Sequence, residues 1–233
     1  MGKRLFLSFA LTILLVTSAV AQNAAKVEHS GFGWKHQAGL RLGVWGNLGN
    51  LPPASDTSGL SKYEADIKDA SFYFETYFAY RFHPAIMAEL SVGIVNRGDV
   101  TVEETSGGYT DTYYGNLTVY PVQLRAKIYP FAGTSGKLFP YLTGGVAVYH
   151  GRHDIQFSTD PFFISENART SFSYTIGGGI DYAVANQVGL DLNVTFLPIN
   201  FSQDLFFVKD YQALTFTVGV KYLFQAPGKQ ASK

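Results

Sequence analysis

Residues Pro121–Phe131 read PVQLRAKIYPF, and their alternation constrains the fold more than any other feature of the chain. Val122, Leu124, Ala126 and Ile128 alternate with Gln123, Arg125 and Lys127. A period of two means a strand with one apolar and one polar face. Two arrangements fit it. With the charged face toward water, the strand belongs to a soluble sandwich or lipocalin-type barrel. With the charged face inward, the apolar face must meet lipid.

The pattern recurs along the chain, and the spacing predicts eight strands: Lys35–Leu48, Ala70–Phe82, Ala85–Asn96, Tyr114–Tyr129, Leu138–His150, Ser171–Val184, Gln187–Leu197 and Tyr211–Phe224. No window has helical periodicity. Three links are short: His83-Pro84, Pro130–Lys137 and Ala185-Asn186. Four are long and polar: Gly49–Asp69, Arg97–Tyr113, Gly151–Thr170 and Pro198–Asp210. Long and short links alternate strictly. In an antiparallel up-and-down barrel this gathers the long links at one end and the tight turns at the other. Outer-membrane barrels have short periplasmic turns and longer extracellular loops, and a soluble sandwich would show no such order.

The two parities have different compositions. One carries Leu40, Leu42, Val44, Phe72, Phe74, Phe78, Leu90, Val92, Ile94, Leu190, Leu192, Val194, Phe216, Val218 and Val220, with no charge. The other carries Arg41, Glu75, Arg81, Glu89, Arg125, Lys127, Asp181, Asp191 and Lys221 among glycines and small polar residues. Three features choose the inward set. A water-exposed face would carry far more charge than one or two residues per strand. Glycine on the polar face suits side chains crowded in a narrow lumen. Phe82, Tyr182, Phe196, Tyr222 and Phe224 lie near strand ends on the apolar face, as interfacial girdles do. The charged parity therefore points inward and the apolar parity faces lipid. A run of 9–11 residues spans a bilayer as a tilted strand, roughly, and these runs suffice.

Composition agrees. Charged residues make up 15% of the 233, against about 25% in a soluble domain, while 19 Phe and 15 Tyr are interleaved with polar residues. The opening MGKRLFLSFALTILLVTSAVAQ has basic Lys3 and Arg4, an apolar stretch from Leu5 to Val16, and Ala19-Val20-Ala21 as a cleavage site. We expect residues 1–21 to be a cleaved signal peptide, 22–34 a lead-in, 35–224 the barrel and 225–233 a short tail. Cleavage removes two bases and no acid, leaving a slightly acidic mature chain, which argues against nucleic acid as a partner. With no cysteine there is no lipid-attachment site, disulfide or thiolate chemistry.

The segments YPVQLRAKIYPF and FPYLTGGVAVYH and the terminal run Thr217–Phe224 resemble the small eight-stranded outer-membrane barrels of Gram-negative bacteria, the group of the OmpA transmembrane domain, OmpX and OmpW. Within that run, Gly219, Tyr222 and Phe224 look like the last-strand signal read by the outer-membrane assembly machinery. In most such barrels the aromatic is the final residue, whereas nine residues follow Phe224 here. The resemblance implies a monomer in outer-membrane lipid, with long loops extracellular and both termini periplasmic. It leaves function open among anchors, adhesins, small porin-like channels and lipid-modifying enzymes.

Counted from the nearest tight turn, Arg41, Glu89, Arg125, Lys127, Asp181, Asp191 and Lys221 are expected in one layer, with Arg81 just below and Glu75 above. Such charges in a narrow lumen should pair, so a salt-bridged plug is expected. The leading role is structural or surface interaction. A narrow channel for small or hydrophobic solutes comes second, and a lipid-modifying enzyme third. No cofactor, metal or catalytic set is expected. His150, His153 and Asp154 lack a third fixed ligand type, no local motif sets a nucleophile beside a base, and Arg97-Gly98-Asp99 suits an ordinary turn. The loops carry two apolar clusters, Phe162, Phe163 and Ile164 in the third and Leu205, Phe206 and Phe207 in the fourth. They are candidates for an extracellular ligand or partner.

Overall fold

The computed structural model describes residues 34–49, 55–58, 61–106, 108–132, 136–157, 164–185, 187–205 and 208–225. The signal peptide, most of the lead-in and the tail lie outside these residues. So do Phe162, Phe163, Phe206 and Phe207 and the side chains of Ile164 and Leu205.

Twelve strands follow one another: β1 (Trp34–Asn47), β2 (Ser55–Ser58), β3 (Ser61–Ile67), β4 (Ala70–His83), β5 (Ile86–Ser106), β6 (Tyr109–Ile128), β7 (Leu138–Phe157), β8 (Ile164–Ala183), β9 (Val188–Leu197), β10 (Asn200–Leu205), β11 (Val208–Asp210) and β12 (Ala213–Gln225). Eight of them, in the order β1-β4-β5-β6-β7-β8-β9-β12, pair with their neighbours and close on β1 through antiparallel ladders. Closure removes the free edges that an open sheet would present in lipid. The tight turns lie at the end where Trp34 pairs with Gln225 and Ile86 with Ile128.

Through the middle of the barrel strands the burial period is two. In β4 the exposed Phe72, Phe78, Tyr80 and Phe82 alternate with the buried Tyr73, Glu75, Tyr77 and Arg81. In β9 Leu190 and Leu192 face out while Asp191 and Asn193 are buried. The outer wall is thus apolar and the interior polar at mid-strand, the inverse of a soluble barrel. Aromatics flank the outer band at both ends. Tyr80, Phe82, Tyr182, Tyr222 and Phe224 are exposed on the tight-turn side, and Phe72, Phe172, Tyr174 and Phe216 on the other. This is the girdle arrangement of a barrel in a bilayer.

The long links differ from the sequence reading. Residues 97–113 and 151–170 were expected as loops, but much of both is ladder. β5 and β6 stay paired up to Ser106 and Tyr109, and β7 and β8 up to Gln156 and Ile164. The first link holds the β2–β3 hairpin, which adds to β5, and the fourth holds the separate β10–β11 hairpin. These strands carry polar residues on both faces, so they lack the apolar parity that marks a strand in lipid. Backbone pairing needs no such parity once water surrounds both faces. The resulting rim is uneven. β5 to β8 rise as a tall wall, whereas the β8–β9 ladder ends at Ile176 and Phe196 and the β1–β4 ladder at Gly46 and Ala70.

Inside, three layers stack along the axis. Nearest the tight turns are Tyr77, Ala79, Met87, Tyr129, Phe139 and Tyr141. The charged residues come next. Toward the long links lies an apolar layer including Trp45, Tyr73, Val95, Leu117, Tyr149 and Leu197. It is roofed by Ile199, Phe201 and Tyr211, where the fourth link folds inward. Ser173 Oγ donates to the Pro198 carbonyl at 2.5 Å and Ser171 Oγ to that of Asn200 at 2.6 Å, holding this link against the inner face of β8.

Candidate functional site

The charged layer draws on five strands. Arg41 comes from β1, Glu75 from β4, Glu89 from β5, Arg125 and Lys127 from β6, and Asp191 from β9. All six are buried. Arg41 is the hub. It pairs with Glu75, its Nη2 lies 2.7 Å from Glu89 Oε2, and its Nε donates to Asp191 Oδ1 at 2.7 Å. Arg125 Nη2 reaches Glu75 at 2.6 Å and also pairs with Glu89. Lys127 Nζ bridges Glu89 at 2.9 Å and Asp191 at 3.1 Å. Three cations thus face three anions, and each acid is shared between two or more bases.

Neutral donors complete the coordination. Tyr73 Oη and Gln123 Nε2 donate to Glu75 Oε2 at 2.8 and 3.1 Å, and Tyr141 Oη to Asp191 Oδ2 at 3.1 Å. The Arg41 guanidinium stacks 3.7 Å over the Tyr77 ring, and Lys127 Nζ lies 4.2 Å over that of Tyr141. Buried charges are tolerable only when their hydrogen bonds are met in this way.

The other charged residues adjoin this set, Asp181 facing Asp191 across the β8–β9 ladder. Asp181 pairs with Lys221 and accepts from Tyr129 Oη at 2.8 Å. Arg81 donates to the Pro84 carbonyl at 2.5 Å and sits 4.7 Å from the centre of the Tyr129 ring. One position differs from the count along the strands. Glu75 was expected above the layer but lies in it, opposite Arg41. Asp181 lies level with Asp191 as expected, and Lys221 pairs with Asp181. Counting from turns ignores strand stagger, and register depends on that stagger.

Gly219 has a local role in this layer. It sits between Arg41 and Asp191 in register. A Cβ there would come within 2.8 Å of both the Arg41 Cγ and the Leu40 carbonyl oxygen. Gly219→Ala should therefore push Arg41 off its partners and cost about 1–3 kcal/mol, as overpacking does. Urea unfolding of the barrel in lipid vesicles measures this, and an unchanged midpoint would mean that the Arg41 stem can give way. Tyr222 and Phe224 lie on the outer wall with ring centres 4.8 Å apart.

The loop motifs resolve differently. Arg97 of the RGD tripeptide is fully buried and points into the barrel. Gly98 lies at a register shift after Asn96 with φ 148°, a bulge of the kind that re-aims side chains. The tripeptide does not present an exposed arginine. His150 faces outward and contacts Thr170 Oγ1 at 3.2 Å, while His153 lies on the opposite face of the same strand. Among the described residues no group of three His, Asp or Glu side chains could hold a metal. Arg97 itself escaped the sequence reading. It continues the inward parity of Glu89, Ser91, Gly93 and Val95, a signal cut short by ending the strand at Asn96.

Comparison with known proteins agrees with this architecture. The structure is similar to that of the outer membrane protein OprG from Pseudomonas aeruginosa, with 16% identity, coverage of 85% of this chain and 100% of that one, and a TM-score of 0.57. It is also similar to Neisserial surface protein A, with 16% identity, coverage of 84% and 100%, and a TM-score of 0.51. No curated protein sequence matches the chain. The family model for the outer membrane protein beta-barrel domain matches residues 11–224. An apolar outer wall, a closed eight-strand ladder and this match lead to one conclusion: the chain belongs to the outer membrane protein beta-barrel family and is a transmembrane barrel of the outer membrane.

Proposed function

We propose that this protein is a structural or surface-interaction barrel whose lumen is closed by its charged layer. The observation that carries this reading is the six-residue network around Arg41, with three cations and three anions drawn from five strands. The interior of an eight-stranded barrel is just wide enough for side chains to fill it. An ion crossing the layer would have to part pairs whose breakage costs several kcal/mol. Layers of buried aromatic and aliphatic side chains on both sides add to the barrier. We put the long links outside the cell and both termini in the periplasm, as short turns and long loops are disposed in such barrels. Gly219, Tyr222 and Phe224 then belong to a last strand offered to the assembly machinery from the periplasmic side. The mature chain works as a monomer in outer-membrane lipid and meets any extracellular partner through the tall wall of β5 to β8.

Single-channel recording of the refolded chain in a planar bilayer tests the closed lumen. The expected result is silence from protein shown to be folded by its gel shift on heating. Discrete, reproducible openings would overturn it and give first place to a narrow channel, with the Arg41 network as its gate.

A further inference from the structure

Charge is divided between the two ends of the barrel. Apart from Glu28 and the interior Glu75, Glu89, Asp181 and Asp191, every acid of the chain falls within the long links. Among the described residues the tight-turn end exposes Lys35, His83 and Lys137, half-buries His36 and shows no exposed acid. Two of these bases stand on the lipid-facing wall. The β1–β12 register shifts between Trp34 and His36, so Lys35 is the extra residue of a bulge, and bulges re-aim side chains. Strict alternation from Gln37 would turn Lys35 inward. Instead its Nζ lies 5.6 Å from the ring centre of Tyr80, an outward residue of the tight-turn girdle. His36 lies opposite Tyr80 on one side and Phe224 on the other, with its ring centre 5.1 Å from that of Tyr80.

These bases have donors to spare. An ammonium carries three N–H groups, and the face of the Tyr80 ring engages Lys35 from one side only. His36 has at least one ring N–H in either protonation state. At the edge of a bilayer, an acceptor with a full negative charge suits both. Next to them, toward mid-bilayer, the wall has a dip. Ala38 lies opposite Phe78 and Tyr222, which are both exposed on the outer wall, so a small residue stands between two large rings. A free anion would gain nothing from that dip, and an uncharged lipid nothing from the bases. A lipid whose headgroup holds a phosphate and no positive charge uses both.

We propose that the β1 corner of the tight-turn girdle binds an anionic phospholipid of the adjoining leaflet, with its phosphate between Lys35 and His36 and an acyl chain along Ala38, between Phe78 and Tyr222. The site lies on the outer wall and is independent of whether the lumen conducts.

Native mass spectrometry tests this. The refolded chain is released from neutral detergent micelles holding equal amounts of phosphatidylglycerol and phosphatidylcholine with the same acyl chains, and the lipid kept by the barrel is counted. Phosphatidylglycerol should be retained about fivefold more than phosphatidylcholine, the factor that about 1 kcal/mol from a lysine near an anionic headgroup gives. Lys35→Gln combined with His36→Gln should abolish the preference. Lys137→Gln removes an exposed base from another tight turn and should leave the preference unchanged. Ala38→Leu keeps both bases and should lower phosphatidylglycerol retention by filling the dip. Equal retention of the two lipids overturns the proposal, as does a preference that survives the double variant or falls as far with Lys137→Gln. Unchanged retention in Ala38→Leu, or displacement of the lipid by inorganic phosphate, would mean an anion site without a lipid chain and overturns it too. If the double variant does not fold, the headgroup comparison in the parent chain and in Lys137→Gln decides.

Discussion

Arg41→Met should destabilise the folded barrel by about 3–5 kcal/mol, the range for stranding buried partners. The size follows from what is left behind. Among the described residues Arg41 is the one base in contact with Glu75, Glu89 and Asp191 together. Without it, Arg125 and Lys127 face three carboxylates in a layer closed above and below by apolar side chains. Methionine keeps most of the stem that packs beside Gly219, so the loss reports pairing more than volume. Urea unfolding in lipid vesicles, followed by tryptophan emission, gives the number. A second change separates the causes. Glu89→Gln in the Arg41→Met background removes one stranded charge and should recover part of the loss, whereas Glu89→Gln alone should destabilise. If Arg41→Met is neutral, the layer is hydrated in solution and cannot serve as a closed plug.

That network was half legible in the sequence. Its members were, because each sits on the parity opposite an uninterrupted apolar one. Val122, Leu124, Ala126 and Ile128 leave no reading for Arg125 and Lys127 except inward, once a lipid-facing wall is accepted. The pairings were not legible, because they depend on how far neighbouring strands are staggered. Arg41 meets Glu75 on one side and Gly219 on the other, and Gly219 in turn meets Asp191. Nothing local to Arg41 encodes those three registers. The height of β5 to β8 was hidden for another reason. Beyond the bilayer both faces of a strand meet water, so the period of two disappears from sequence while the ladder persists. Arg97 falls at that boundary, where its sequence suits a turn.

The lipid-facing assignment makes the second strong prediction, and it is positional. Leu192 is exposed on β9, between Val218 of β12 and Ile180 of β8 and midway between the two aromatic rows. Leu192→Arg should cost about 2–4 kcal/mol, because a guanidinium at mid-bilayer loses its water with no partner in reach. Val188 faces the same way on the same strand but lies beside Tyr222 in the tight-turn girdle. Val188→Arg should cost only about 0–1 kcal/mol, since its head can reach the interface. The difference between the two carries the argument, because overpacking and lost strand propensity affect both positions alike. A soluble barrel would accept arginine at either site with little change. Equal costs at the two positions would deny a depth-dependent environment, and the apolar wall would then need a covering other than lipid.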